Sequence, residues 1–349
     1  MTAIDRETLR QLPKAELHCH LDGSVRPQTL LDLAAEYGVE MPRPDAASLG
    51  EFMTVRNAQS LEDYLARFEV TLSVMQRAEA LERIAFELAE DAHRDGVWYI
   101  ETRFSPILNV RGGLSTHDAV YAVTRGLERA ERQYGVIARV IICALRDLAP
   151  DVSMELARLA VASRHFGVVG FDLAGGERGH PASRHARAFE YARTHDMACT
   201  CHAGEGDGAQ SIREAVHTCC ANRIGHGTRL FEDQALLDYV NDRRIAVEMC
   251  LTSNVQTSAA PSYGGHPLRE YYEAGLNVVL STDNRLMSAT TLTDEYVHAA
   301  DHLALPFADL ARIAINGFES AFLPWQQRLD LIARARKAIA QLQSGEDGR

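Results

Sequence analysis

The chain has 349 residues, 46% of them hydrophobic, and a formal net charge of −12. This composition is that of a globular protein with a sizeable core, and the acidic balance argues against a nucleic-acid partner, which needs clustered basic residues. No membrane-spanning segment is expected, because the most apolar run, 136–145, is short and is interrupted by Arg139. The seven cysteines form no Cys-x-x-Cys pair and are odd in number, which predicts reduced thiols in a cytoplasmic protein.

The first apolar run of the chain carries two histidines, in the sequence Glu-Leu-His-Cys-His-Leu-Asp-Gly at 16–23. Side chains alternate between the two faces of a β-strand, so His18 and His20 would point the same way, whereas a helix would set them about 200° apart. Two imidazoles at one strand end can bind one metal ion, although two polar residues closing a buried strand would give the same pattern. The rest of the chain must supply the other ligands.

Helical patterns separate this strand from the next one. The expected elements are a helix at 26–37 ended by Gly38, a loop at 41–58, a helical segment from Leu61 to Phe68, and a helix at about 79–93. The interval is too long for a simple connection between neighbouring strands, so we expect a helical insertion at about 26–95.

Strands and helices then alternate to the end of the chain. The later strands are expected at 97–104, 136–145, 168–173, 197–202, 223–227, 245–250 and 277–282. The tail, 292–343, is expected to be helical with breaks at Gly317 and Pro324. Eight strands alternating with helices predict an α/β chain folded as one closed (β/α)8 TIM barrel over 1–349; an open doubly wound sheet is less favoured, because no Gly-x-Gly-x-x-Gly follows a strand.

Polar residues cluster where these strands end, which is the face where barrel enzymes place their active sites. In chain order they are His18, His20, Asp22, Glu101, Arg103, Gly175, His202, Glu205, His226, Glu248, Asp283 and Asn284. Three imidazoles with one carboxylate form a zinc-type ligand set. A zinc ion with one open position lowers the pKa of a bound water to about 7, which gives a nucleophile near neutral pH.

Five segments of the chain resemble motifs of the adenosine deaminase family, within the amidohydrolase barrels. They are Pro-Lys-Ala-Glu-Leu-His-Cys-His-Leu-Asp-Gly at 13–23, Phe-Asp-Leu-Ala-Gly-Gly-Glu at 171–177, His-Ala-Gly-Glu at 202–205, Arg-Ile-Gly-His-Gly at 223–227 and Ser-Thr-Asp-Asn at 281–284. Each segment alone is weak evidence for the family, but the five occur in the family's order and are spread over nearly the whole chain.

The resemblance implies a site and a reaction, with a purine nucleoside and water as the small-molecule partners. It implies one zinc ion per chain, bound by His18, His20, His202 and Asp283. Further roles follow from the same resemblance: Glu205 as the proton donor at purine N1, His226 as the residue that orients the attacking hydroxide, Glu248 as the residue that positions His226, Gly175 as a backbone contact to the purine, Asp22 as a ligand of the sugar hydroxyl, and Leu61, Tyr64 and Phe68 as the lining of a flap over the substrate.

The chemistry of hydrolytic deamination needs these residue types. Attack at carbon 6 loads charge onto N1, so a protonated carboxylic acid must stand nearby, and Glu205 follows a proposed ligand in a glycine-containing turn. A nearby cation should lower the pKa of His226 and favour its neutral form. A glycine at 175 lets a flat ring approach the main chain.

Structural interpretations of the same residues remain open. Glu205 could be a solvated loop acid, His226 a core histidine, and Glu248 a buried carboxylate paired with Arg103 or another arginine. Leu61, Tyr64 and Phe68 could be plain core. The other histidines are expected to be solvated: His93, His117, His165, His180, His185, His195, His217, His266, His298 and His302.

One departure from the family pattern bears on the substrate. The family's usual acid after the metal-binding aspartate is Asn284 here, and its amide can donate to purine N7 without a pKa shift. Adenosine and 2′-deoxyadenosine are the expected substrates; adenine, or an N9-modified adenosine such as aminodeoxyfutalosine, is the alternative.

Other functions are less favoured by the sequence. Another mononuclear amidohydrolase activity remains possible, but a two-metal site bridged by lysine is excluded, since the chain has no lysine between Lys14 and Lys337. A relative without catalysis should lack ligands or Glu205, and none is missing. The His-x-Glu and Pro-Cys-x-x-Cys signature of nucleic-acid deaminases is absent.

Overall fold

The computed structural model describes residues 4–55 and 67–346. Its eight strands are parallel, and their order in the sheet is their order in the sequence. They are Lys14–His20 (β1), Val97–Phe104 (β2), Ile137–Leu145 (β3), Val168–Ala174 (β4), Ala198–Ala203 (β5), Arg223–His226 (β6), Ala246–Met249 (β7) and Val278–Leu280 (β8).

The first strand and the residues after the last strand close the sheet into a barrel. Cys19 forms a parallel bridge with Asp283. The N–H of His20 donates to the carbonyl of Asp283 at 2.7 Å, and the N–H of Asp283 donates to the carbonyl of His18 at 2.9 Å. The predicted (β/α)8 TIM barrel is confirmed.

Helices cover the outside of the barrel. The α-helices are Arg6–Gln11, Pro27–Tyr37, Ala46–Met53, Phe68–Leu72, Ala78–Arg94, Thr116–Tyr134, Pro150–Ala162, Ala186–Thr194, Ala209–His217, Gln234–Asp242, Leu251–Gln256, Leu268–Glu273, Leu292–Leu303, Phe307–Ser320 and Trp325–Glu346. Short 3-10 helices occur at Pro106–Asn109, Arg164–Phe166, Ala182–His185 and Leu230–Glu232. Within the described residues, no helix is long and apolar enough to span a bilayer.

Hydrophobic patterning explains these layers. Strand β4 is buried at all but one position, as expected for a parallel strand covered on both faces. The helix Ala78–Arg94 buries Leu81, Ile84 and Leu88, which recur at helical spacing, against the core. The core is therefore continuous from the barrel interior to the inner faces of the outer helices.

Four helices lie among the described residues between β1 and β2, and one of them was not expected. The segment 41–58 was predicted as a loop because of its two prolines, but Ala46–Met53 is helical. Asp45 begins this helix by accepting the N–H of Ser48 at 2.9 Å, a local N-cap that the prolines obscured. The predicted flap residues Leu61 and Tyr64 lie outside the described residues.

The helical tail is present, but one of its two expected breaks is wrong. Gly317 lies inside the helix Phe307–Ser320, and a Cβ there would stand 3.2 Å from Ala15 of β1. This glycine therefore serves close packing of helix on strand rather than helix termination. The expected break at Pro324 is confirmed, because one helix ends at Ser320 and the next begins at Trp325.

Candidate active site

Five polar side chains from four places in the chain meet at the carboxyl end of the barrel. Strand β1 contributes His18 and His20, β5 contributes His202, β6 contributes His226, and Asp283 follows β8. One potential ligand atom from each of His18, His202, His226 and Asp283 lies within 4.8 Å of the others. His20 joins them, with its Nε2 atom 3.1 Å from Nε2 of His202 and 3.3 Å from Oδ1 of Asp283.

Hydrogen bonds to the outer nitrogens orient two of these imidazoles. Nδ1 of His18 lies 2.8 Å from the Glu248 carboxylate, and Nδ1 of His202 lies 3.1 Å from that of Asp172. A carboxylate can only accept, so each Nδ1 carries the proton and each Nε2 presents a lone pair to the centre. Nε2 of His18 is buried and has no hydrogen-bond partner.

These residues fit a divalent cation. Burial lowers the pKa of His20 well below its usual value, so its ring is neutral and lies against the unprotonated Nε2 of His202. Although burial acts to raise it, the contacts with His18 and the other neighbouring histidines hold the pKa of Asp283 well below its usual value. Converging lone pairs and a carboxylate repel one another unless a cation lies between them, and nitrogen and oxygen donors of this kind suit zinc.

Two of these residues adopt an unusual backbone conformation. His226 and Asp283 both have φ of 62°, in the left-handed region that residues with a Cβ rarely occupy. Each such residue costs about 1–3 kcal/mol, and such strain gathers at functional sites where the surrounding structure enforces it. The bridge between Cys19 and Asp283 is one such constraint.

Glu205 lies beside this centre in the turn after β5, and its side chain is only 7% exposed. Its Oε2 atom is 3.4 Å from Nε2 of His226. Burial, with the nearby charge of Asp283, raises the pKa of Glu205 to about 8, so the carboxyl holds its proton at neutral pH. The interpretation of Glu205 as a solvated loop acid is therefore wrong.

Glu177, within the loop after β4, fixes the turn that carries Glu205. Its carboxylate accepts the backbone N–H groups of Gly204 at 2.6 Å, Glu205 at 2.9 Å and Gly206 at 2.6 Å. Although burial acts to raise it, the charge of Arg146 and these hydrogen bonds lower the pKa of Glu177. Sequence reasoning gave Glu177 no role; its only signal was an acid inside the resembling segment 171–177.

Glu248 is buried, but the expectation that it positions His226 is wrong. It bonds Nδ1 of His18, and it pairs with Arg103 at 3.0 Å and Arg223 at 2.6 Å. These two arginines hold the pKa of Glu248 well below its usual value against the opposing effect of burial. The alternative interpretation, a buried carboxylate paired with Arg103, is confirmed, and the residue orients His18 through the same carboxylate.

Arg103 and Asp172 belong to the same buried network; Arg103 was expected at this end of the barrel as a possible partner of Glu248, whereas Asp172 was not assigned to the site from sequence. Arg103 bonds the Asp172 carboxylate at 2.8 Å and the carbonyl of Leu17 at 2.5 Å, while Asp172 bonds His202. All these side chains except that of His202 are fully buried. The available signal was a charged residue within a buried strand, which requires a charged partner.

A cavity of about 420 Å³ opens over the centre, large enough for a small ligand. His20, His202, Glu205, His226 and Asp283 line it. Four residues predicted to contact substrate also line it: Asp22, Phe68, Gly175 and Asn284. A cavity of about 790 Å³ lies where β4, β5 and β7 begin, at the opposite end of the barrel from the histidines.

Asp22 and Asn284 carry buried oxygen atoms without hydrogen-bond partners, Oδ1 in each case. Burial raises the pKa of Asp22 to about 7. Oδ1 of Asn284 lies against Gly23, where a Cβ would come within 1.7 Å of it, so a side chain at Gly23 would displace the amide. Gly175 has φ of 93°, a conformation that glycine adopts without strain.

Two histidines expected to be solvated are buried instead, His185 and His266. His185 bonds Ser153 and the carbonyl of Arg146. His266 bonds Asn254, whose side chain also contacts His226. Both lie outside strands, where sequence pattern gives little information about burial.

The family model for adenosine deaminase matches residues 13–338. The chain belongs to the adenosine deaminase family. An adenosine deaminase of Mycobacteroides abscessus is 42% identical over 351 residues, covering 95% of this chain and 96% of that protein. Family and fold place the chain among the hydrolases that act on C–N bonds.

Solved structures of related enzymes share this adenosine deaminase-family fold. The adenine deaminase of Arthrobacter aurescens superposes with a TM-score of 0.88 at 26% identity, covering 94% of this chain and 99% of that one. A Burkholderia ambifaria amidohydrolase with bound zinc superposes with a TM-score of 0.90 at 26% identity, covering 100% of this chain and 97% of that one.

Burial, rather than distance, should set the contribution of ion pairs to stability. Arg103→Leu would leave the Asp172 and Glu248 carboxylates buried without their cation, and we expect it to lower the free energy of unfolding by about 3–5 kcal/mol. Arg132→Leu is the matched control, because Arg132 pairs with Glu128 at the same 2.8 Å, but both side chains are mostly exposed. Urea denaturation should detect little change in the control. Equal losses of unfolding free energy in the two variants would contradict the claim that burial sets the contribution of these ion pairs.

Proposed function

We propose that this protein removes the 6-amino group of adenosine or 2′-deoxyadenosine by hydrolysis, releasing inosine or deoxyinosine and ammonia. One observation carries the proposal: the Nε2 atoms of His18, His20 and His202 converge with the Asp283 carboxylate beside Glu205, in a ligand-sized cavity. The family and the 42% identity to an adenosine deaminase support the choice of reaction.

His18, His20, His202 and Asp283 would bind one zinc ion. The unpartnered Nε2 of His18 and the opposed Nε2 atoms of His20 and His202 support this set. When bound, zinc activates a water molecule for attack on carbon 6 of the purine. Glu248 and Asp172 hold the rings of His18 and His202 in their binding orientation, as outer partners of metal-binding histidines commonly do.

Glu205 would supply the proton that the purine needs at N1. Its raised pKa of about 8 keeps the carboxyl protonated at neutral pH, and Glu177 holds the turn in place. His226 would orient the attacking oxygen, and burial lowers its pKa to about 4, so the ring acts as a neutral hydrogen-bonding group.

Four cavity residues would bind the nucleoside. Gly175 lets the purine approach the main chain, and the unpartnered Oδ1 of Asp22 can accept a hydrogen bond from a sugar hydroxyl. Because Oδ1 of Asn284 lies against Gly23, its amide nitrogen is the atom available to donate to purine N7. Phe68 lines the same cavity and would cover the substrate, and we propose the same role for Leu61 and Tyr64.

A different group at N9 is the second candidate. Asn284 departs from the family's usual acid at a residue that lines the cavity, and an adenine deaminase shares the fold. Adenine or an N9-modified adenosine would then replace adenosine as the substrate.

The seven cysteines are all unpaired and mostly buried, which supports a cytoplasmic location.

A substrate series tests the reaction and the N9 group together. The loss of the 6-amino group is measured by ultraviolet absorbance. Adenosine and 2′-deoxyadenosine should react fastest, while adenine and N9-extended adenosines should react more slowly. Faster reaction of adenine would replace the first candidate by the second. The proposal fails if zinc-loaded protein deaminates none of these 6-aminopurines.

Removing the carboxylate ligand should release the metal. Asp283→Ala deletes the only acid in the proposed ligand set, so we expect less than one zinc per chain after dialysis, measured by atomic emission. Asp22→Asn is the control, since it neutralises a nearby carboxyl that lies outside the set, and it should keep zinc while raising KM. Unchanged zinc in Asp283→Ala would remove Asp283 from the ligands.

Removing the proton donor should lower the rate but leave zinc binding unchanged. Glu205→Gln keeps the size of the side chain but cannot transfer a proton, so we expect full zinc content with kcat lowered by roughly 10²–10⁴. Glu155→Gln, an exposed change on the helix Pro150–Ala162, should leave kcat unchanged. Near-normal turnover of Glu205→Gln would refute its role.

A further inference from the structure

A chain of hydrogen bonds runs from the main chain outside the barrel to His226. The N–H of Leu268 donates to Nδ1 of His266 at 3.2 Å. Nε2 of His266 lies 3.1 Å from Oδ1 of Asn254, and Nδ2 of Asn254 lies 2.9 Å from Nδ1 of His226. All three side chains are buried, so water does not compete for these contacts.

The direction of each bond follows from its first member. A backbone N–H can only donate, so Nδ1 of His266 accepts, and the proton of its neutral ring is on Nε2. That Nε2–H must then meet an acceptor, which makes the facing atom of Asn254 its oxygen. A second backbone group, the N–H of Cys250, points at the same oxygen at 3.4 Å. The amide nitrogen of Asn254 therefore faces His226 and donates to it.

His226 differs in this respect from two other histidines of the centre. His18 and His202 bond carboxylates through Nδ1, which places their protons there and leaves Nε2 free to bind a cation. Nδ1 of His226 instead accepts from an amide, so its proton is on Nε2. A protonated nitrogen has no lone pair for a metal, although His226 lies in the same cluster of potential ligands.

We propose that Asn254 and His266 are positioning residues that hold His226 in its Nε2–H tautomer. His226 is thereby excluded from the metal ligands and becomes an N–H donor in the site. Its Nε2, 3.4 Å from Oε2 of Glu205, would donate to the attacking oxygen. The catalytic consequence rests on the proposed deaminase function. The tautomer does not, because it follows from the hydrogen bonds alone.

Nitrogen-15 NMR of the metal-free protein tests the tautomer without reference to activity. We expect the His226 ring, assigned by loss of its signals in His226→Gln, to show a protonated Nε2 and an unprotonated Nδ1. A proton on Nδ1 of His226 would overturn the proposal, even in a fully active enzyme. Absence of deaminase activity on every 6-aminopurine, with the expected tautomer present, would instead count against the proposed function.

Substitutions then separate positioning from folding. Asn254→Asp presents only acceptors and should move the His226 proton to Nδ1 in the spectrum. We expect kcat to fall roughly 10- to 100-fold, with KM little changed. His266→Gln keeps an amide N–H for Asn254 and should retain most of kcat, whereas His266→Phe removes the donor and should lose it.

A control substitution accounts for general effects of a buried acid. Asn316, whose Nδ2 bonds the carbonyl of Val278 at 3.1 Å, is also buried but lies on the outer helix Phe307–Ser320. Asn316→Asp should reduce stability while leaving the tautomer and kcat unchanged. Equal losses of kcat in Asn254→Asp and Asn316→Asp, or an unchanged His226 tautomer in Asn254→Asp, would overturn the proposal.

Discussion

Two backbone hydrogen bonds between β1 and Asp283 are the constraint on which the site depends. They join the first strand to the residue after the last one, so closure of the barrel also brings the carboxylate to the two histidines of β1. Residues 265 positions apart in the chain, His18 and Asp283, thus become neighbours as a direct result of barrel formation. The candidate metal ligands cannot assemble in a partly closed sheet, since the carboxylate would be missing.

Beneath this centre lies a network of buried charges that belongs to stability and function at once. Arg103 and Arg223 neutralise Glu248, while Asp172 pairs with Arg103. Glu248 and Asp172 in turn fix the rings of His18 and His202. A purely apolar barrel interior could be equally stable, because the desolvation of buried charges offsets much of the free energy that their pairing contributes. The network is better explained by the orientation that it imposes on the histidines.

The sequence predicted features that depend on local periodicity and on strand ends. Alternation of side chains placed His18 and His20 on one face, and the rule that barrel sites lie at carboxyl ends identified most of the polar side chains lining the cavity. It failed where contacts cross the barrel interior. The partner of His226 was expected to be Glu248 but is Asn254, because strand order does not reveal which side chains meet. His266 was missed because it lies outside the strands, where sequence pattern gives little information about burial, and the helix Ala46–Met53 was missed because prolines obscured its N-cap.

The left-handed backbone at His226 and Asp283 has an evolutionary consequence. Glycine would relax the main chain at both positions, and it would also delete the side chains that the site needs. At these two positions, substitutions that relieve backbone strain therefore also remove the side chains that the reaction needs. A descendant that had lost its reaction would be free to accumulate glycine there, so glycines at 226 and 283 would mark a barrel kept for another purpose.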